Sequence, residues 1–112
     1  MSDKPGRIEQ GLLTIHSEPQ DARFVSLHGV LDLANAKALE DEFMRIEATS
    51  VSRIVLDLSE LDFIDSMGLA VIVKADRRAK NDGHVLRVLR PKGQVGRAFE
   101  ISGLDQLLAF GN

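Results

Sequence analysis

The chain switches repeatedly between two hydrophobic periods, and the switching predicts strands alternating with helices. Leu12 to His16 is a short apolar run, followed by the polar cluster Ser17-Glu18-Pro19-Gln20-Asp21. That cluster reads as a turn, because proline removes a backbone donor and polar side chains dominate it. Ala22 to Val30 alternates, with Phe24, Val25 and Leu27 as β-favouring bulk, so it pairs with the first run as a hairpin. The period then changes. Ala36, Leu39, Phe43 and Ile46 recur at steps of three and four, which sets them on one face of a helix. Asn35 is the candidate N-cap, its side-chain oxygen accepting from the free amides of the first turn.

Arg53 to Leu58 is a short, nearly continuous apolar run, the pattern of a central strand covered on both faces. A polar loop over 59–62 leads to Phe63-Ile64-Asp65 and a second helix. There Leu69, Ile72, Val73 and Asp76 or Ala79 recur at helical spacing, and Asn81-Asp82-Gly83 stops the helix with a residue that tolerates the left-handed conformation. His84 to Leu89 is a further strand ended by Pro91. A last helix from about Gln94 carries Val95, Ala98, Phe99 and Ile101, and Leu107 to Phe110 forms a short edge element or helical turn. The order β-β-α-β-α-β-α implies an α/β fold with a mixed sheet and parallel crossovers.

Composition narrows the class. With 112 residues the chain has the length of one compact domain; residues 1–9, with Pro5 and Gly6, read as a flexible lead-in and 10–112 as the domain. It has no cysteine, which excludes disulfides, thiol catalysis and cysteine-ligated zinc. A net charge of −3 gives no footprint for direct nucleic-acid binding. No apolar run approaches the about 20 residues that span a bilayer, and the segment behind Met1 lacks a signal-peptide core. The expectation is a cytoplasmic protein without membrane insertion.

Candidate chemistry is sparse. His16, His28 and His84 lie on three different expected strands, without the paired spacing of metal-binding helices. Pro91-Lys92-Gly93-Gln94-Val95-Gly96 matches no phosphate-binding fingerprint and reads as a strand-to-helix turn. Asp65-Ser66-Met67-Gly68 is not a nucleophile elbow. No catalytic, metal or cofactor site is expected; a small hydrolase or nucleotide-binding protein is the minor reading. Ser66 remains, at the start of the second helix. Position alone leaves two roles open: a helix-capping serine worth about 1 kcal/mol, or a switch. A phosphate there adds about −1.5 to −2 charges where the helix dipole tolerates an anion, so the fold survives while the surface changes.

Three ordered segments resemble the STAS family, in particular the bacterial anti-sigma factor antagonists, over about residues 12–108. Gly29-Val30-Leu31-Asp32-Leu33-Ala34-Asn35-Ala36 is similar to the family's first segment. Leu56-Asp57-Leu58-Ser59 through Asp65-Ser66-Met67-Gly68-Leu69-Ala70 resembles the region around its phosphorylated serine. Phe99-Glu100-Ile101-Ser102-Gly103-Leu104 resembles its late turn. The resemblance implies a small mixed sheet of about four to five strands with helices mainly on one side. It implies that Ser66 is the phosphoacceptor for an anti-sigma factor that is also a serine kinase, with a serine phosphatase reversing the step. Asp32, Asp65, Ser66, Met67 and Gly68 are then the partner-binding positions. Asp32 has the alternative role of a turn aspartate capping the next helix, and Asp65 that of shaping its loop by accepting backbone amides. Met67 places a flexible apolar side chain where the family usually has a small or hydroxyl residue. The alternative function is a constitutive STAS scaffold in a stressosome-like, two-component or transport-associated assembly. Self-association into a homo-oligomer is left open.

Overall fold

The computed structural model describes residues 6–19, 23–106, 108 and 110–111. Its strands are β1 (Gly6–Gln10), β2 (Leu13–Pro19), β3 (Arg23–Leu31), β4 (Arg53–Ile64), β5 (Val85–Leu89) and β6 (Phe110–Gly111). Its helices are α1 (Ala36–Glu47), α2 (Ser66–Asp82) and α3 (Gly93–Ser102), with a 3-10 turn at Leu104–Gln106. The six strands form one sheet in chain order. β1 to β3 pair antiparallel and β3 to β6 pair parallel.

Each parallel pair is joined through a helix, and the sheet advances in one direction from β3 to β6. Right-handed crossovers then set all three helices on the same face. Burial agrees. Leu13, Ile15, Val25, Leu27, Ile54, Leu56 and Leu58 are buried, with Leu39, Phe43, Ile46, Ile72 and Phe99 from the helices opposite them. The intervening Thr14, His16, Phe24, Ser26 and Val55 are only half-buried. The α/β fold with a mixed sheet and helices on one side is therefore the observed one.

Four expectations need correction. Residues 6–9 are not a loose lead-in, since Gly6–Gln10 is a strand paired with β2 through Gly6↔Ser17 to Gln10↔Leu13. With β6 as the opposite edge, the sheet has six strands rather than four to five. The Arg53–Leu58 run is covered on one face only. Val55 is half-buried because its sheet neighbours Phe24 and Arg87 flank it, not a second layer. And residues 59–62 are strand, not loop. β4 runs on to Ile64 through two register shifts, Ser26↔Asp57 giving way to His28↔Glu60, and Gly29↔Leu61 to Val30↔Phe63. Each shift inserts a residue in β4, so its buried positions change from steps of two (Ile54, Leu56, Leu58) to steps of three (Leu58, Leu61, Ile64).

The helices differ from expectation in detail. The α1 stripe of Ala36, Leu39, Phe43 and Ile46 is buried as spaced, together with Glu42. On α2 the buried stripe is Gly68, Val71, Ile72, Ala75, Asp76 and Ala79; Leu69 and Val73 lie at its margin, half-buried. Gly83 ends α2 at φ 83°. On α3, Val95 and Phe99 are buried, but Ile101 is off that stripe and 78% exposed. The Pro91–Gly96 segment is the expected turn into α3: a Cβ on Gly96 would meet the Pro91 carbonyl oxygen at 2.8 Å.

Glu42 is the main polar element of the core. It accepts from Arg45 Nε at 2.9 Å and Nη2 at 2.6 Å, and from the buried Ser17 hydroxyl at 3.1 Å. Removing it leaves Ser17 buried without that acceptor, while the half-exposed Arg45 regains water. Glu42→Ala is expected to cost about 2 kcal/mol, read as a lower urea midpoint at unchanged slope.

Candidate functional site

The parallel pair β3–β4 ends at Leu31↔Ile64, and the Asp65 amide donates to the Leu31 carbonyl at 3.1 Å. The two chain segments that leave this pair, 32–35 into α1 and Asp65 into α2, therefore start side by side. The first is a turn closed from both ends. The Asp32 side chain accepts from the Ala34 amide at 3.0 Å, and its carbonyl accepts from the amides of Asn35 at 3.1 Å and Ala36 at 2.8 Å. Asp32 is thus a turn aspartate, one of the two roles open to it.

Asn35 does not cap α1 in the expected way. It is 2% exposed, accepts from the Asp32 amide at 2.9 Å and donates from Nδ2 to the Val30 carbonyl at 2.9 Å. No first-turn amide donates to its side chain. Buried beneath the turn, it satisfies backbone groups that have no water to turn to, and so fixes where Asp32 sits.

Asp65, not Ser66, is the N-cap of α2. Its extended backbone (φ −105°, ψ −176°) aims Oδ1 at the amides of Met67 and Gly68, at 2.9 and 3.0 Å. Its Oδ2 accepts from the Leu33 amide at 3.0 Å. One carboxylate thereby ties the β3–α1 turn to the first turn of α2, which is the loop-shaping role considered for it. Asp outcompetes the following Ser because only the residue with non-helical backbone directs its side chain back over the first amides.

Ser66 is left as the first helical residue, exposed, with no hydrogen bond of its hydroxyl among the described residues. The Met67 and Gly68 amides beside it are already engaged by Asp65. An added phosphate would find those donors taken and would point outward, next to an existing carboxylate. Around it lie exposed apolar side chains: Met67 at 45%, Phe63 at 44% and Leu33 at 70%. Gly68 is different. It is buried, and a Cβ there would come within 2.7 Å of Leu31 Cγ and 2.9 Å of Ile64 Cγ1, so it lets α2 pack on the ends of β3 and β4 instead of offering a contact to a partner.

The site thus brings together Asp32, Asp65, Ser66 and Met67, with Gly68 beneath. Sequence reasoning missed Leu33 and Phe63, each a large apolar side chain that follows an aspartate and precedes another apolar residue (Ala34, Ile64), so that nothing local marks either as surface. It also missed a cleft on the other side of Ser66, where Leu69, Ala70, Val73, Lys74 and Arg77 continue along α2 towards Leu104. His16 and His28 sit on adjacent strands and His84 precedes β5. Among the described residues no group of three or more metal-ligating side chains is gathered, and no helix is long and apolar enough to cross a membrane.

Known proteins resemble this chain in sequence and fold. BtrV of Bordetella bronchiseptica, named as an anti-sigma factor antagonist, is 35% identical over 86 residues, 77% of this chain and 74% of its own. The anti-sigma-B factor antagonist of Staphylococcus aureus is 28% identical over 97 residues, 86% of this chain and 90% of its own. The crystal structure of an anti-sigma factor antagonist from Mycobacterium paratuberculosis superposes with a TM-score of 0.79 at 27% identity, covering 88% and 84% of the two chains. The family model for the STAS domain matches residues 15–112, from the middle of β2 onward and including both halves of the Asp32–Ser66 site. With its fold and its sequence in agreement, the chain belongs to the STAS domain family.

Proposed function

We propose that this chain is an anti-sigma factor antagonist. It is a non-catalytic, cytoplasmic binding protein that engages an anti-sigma factor through Asp32, Asp65, Ser66 and Met67 and is released when Ser66 is phosphorylated. Gly68 serves this surface by seating α2 on the sheet. The partner is the kinase and supplies ATP and magnesium; a serine phosphatase restores the binding form, so transcription is regulated indirectly. The observation that carries the reading is the exposed, unengaged hydroxyl of Ser66 beside a cap that Asp65 already provides. A serine with no capping work at an acidic, apolar-rimmed surface is free to act as a switch. The names of its relatives supply the partner class.

Modification adds charge directly beside the Asp65 side chain, and like charges brought against a partner cost several kcal/mol. Ser66→Glu is therefore expected to weaken binding of the cognate anti-sigma factor about 100-fold, close to 2.7 kcal/mol, measured by calorimetry. Ser66→Ala should bind as wild type, take up no phosphate from the kinase, and unfold within about 0.5 kcal/mol of wild type. Equal affinities for wild type, Ser66→Ala and Ser66→Glu would instead indicate the constitutive scaffold.

A further inference from the structure

The cleft beyond Ser66 has a charge pattern of its own. It occupies about 360 Å³ between α2 and the corner of α3 and the 3-10 turn. Leu69, Ala70, Val73 and Leu104 give it an apolar wall. Ser66 stands at one end and Arg77 eleven residues along the same helix, roughly 16 Å away at helical rise. α2 carries four cations. Arg78 pairs with Glu47 at 2.7 Å and Glu40 at 3.7 Å, and Lys80 with Asp76 at 2.9 Å. The other two, Lys74 and Arg77, line the cleft and make no ion pair among the described residues. Among the described residues no acidic side chain lines it, although the chain as a whole has 17 acidic against 14 basic residues.

We propose that this cleft receives a short acidic, aliphatic segment of the partner protein, its apolar side chains against Leu69, Val73 and Leu104 and its carboxylates on Lys74 and Arg77. The assignment rests on the reading of Ser66 as the switch, and it gives that switch a physical basis. The two cations draw the acidic segment in at one end of the cleft, and a phosphate on Ser66 at the other end repels those of its carboxylates that lie within a Debye length of about 8 Å. Two cations in a concavity on a chain of net charge −3 suit a peptide better than an anionic bilayer, which is held by a larger basic cluster.

The test is a titration of the isotope-labelled chain with an acetylated, amidated eight-residue peptide of alternating glutamate and leucine, followed by amide chemical shifts. Its counterpart with lysine for glutamate is the control. Shifts are expected to cluster on 69–77 and Leu104, with affinity at least about tenfold lower for the lysine peptide and for the double variant Lys74→Glu/Arg77→Glu. Ser66→Glu should weaken the acidic peptide severalfold and Ser66→Ala should not. Both substituted cations are exposed, and amide dispersion verifies that the double variant is folded. Equal binding of the two peptides, or an unchanged affinity in the double variant, overturns the proposal. So does binding of phosphatidylserine vesicles in place of the peptide. If the peptide fails while the kinase still labels Ser66, the cleft alone is wrong; if the peptide binds as expected and Ser66 is never labelled, the switch alone is wrong.

Discussion

Gly29→Ala is expected to remove about 4 kcal/mol of folding stability, and among the described glycines an added methyl meets its closest overlap here. Gly29 lies at φ 97°, and a Cβ built there would fall 2.0 Å from the Leu12 carbonyl oxygen. Both problems are backbone problems. A positive φ of this kind costs an L-residue about 1–3 kcal/mol. The overlap cannot be relieved by rotating a side chain, because the Leu12 oxygen also accepts the Val30 amide at 3.0 Å. Relief requires moving the β2–β3 hairpin off its register. Against a total of about 5–15 kcal/mol, such a loss lowers the melting temperature by roughly 15 °C for a domain of this size. Thermal unfolding followed by circular dichroism measures it, and a fall of less than about 4 °C would show that the hairpin yields more easily than argued. Since β3 delivers Asp32 three residues later, partner binding should weaken as well.

The same glycine shows what the sequence conveys and what it hides. Its place in the first family-like segment is visible, but the reason for it, the Leu12 carbonyl in the turn between β1 and β2, is a tertiary fact. Local periodicity is fully informative on α1 and only partly so on α3, where Ile101 is exposed. Ala36, Leu39, Phe43 and Ile46 on α1 are buried as their spacing requires. Glu42 falls on that same stripe, three after Leu39 and four before Ile46, so its burial was implied by position; its partner Ser17 lies 25 residues away and was not. β1 escaped notice because Gly6–Gln10 contains one apolar side chain, Ile8, and is held through backbone pairing with β2. β4 was read too short because its two bulges change the period of burial from two to three, and a run of three-spaced apolar residues among acidic ones looks like loop. At the site, the Asp65-Ser66 pair could be placed at a helix start, but which of the two caps was decided by the extended backbone of Asp65.

That division of labour makes Asp65 the residue whose loss should be felt most widely at the site. Asp65→Ala is expected to cost about 3 kcal/mol. Loss of the α2 cap accounts for up to about 2 kcal/mol, and loss of the charged hydrogen bond to the Leu33 amide for about 1 kcal/mol at this exposed position. Asp65→Asn separates the two parts. Its remaining oxygen still accepts from Met67 and Gly68, and asparagine is as good an N-cap as aspartate. Its amide nitrogen, however, cannot accept from Leu33, so the variant should lose only about 1 kcal/mol. Hydrogen exchange read residue by residue distinguishes them: protection at Leu33 falls in both variants, whereas protection at Met67 and Gly68 falls in Asp65→Ala alone. If the asparagine variant protects Leu33 as wild type does, the tie between the two turns is not held by this carboxylate. If it is held so, the turn bearing Asp32 and the helix bearing Ser66 are positioned by one group, and phosphorylation sets a second anion directly beside it. The charge then acts on a surface that is already fixed, and its effect is felt by the partner rather than by the fold.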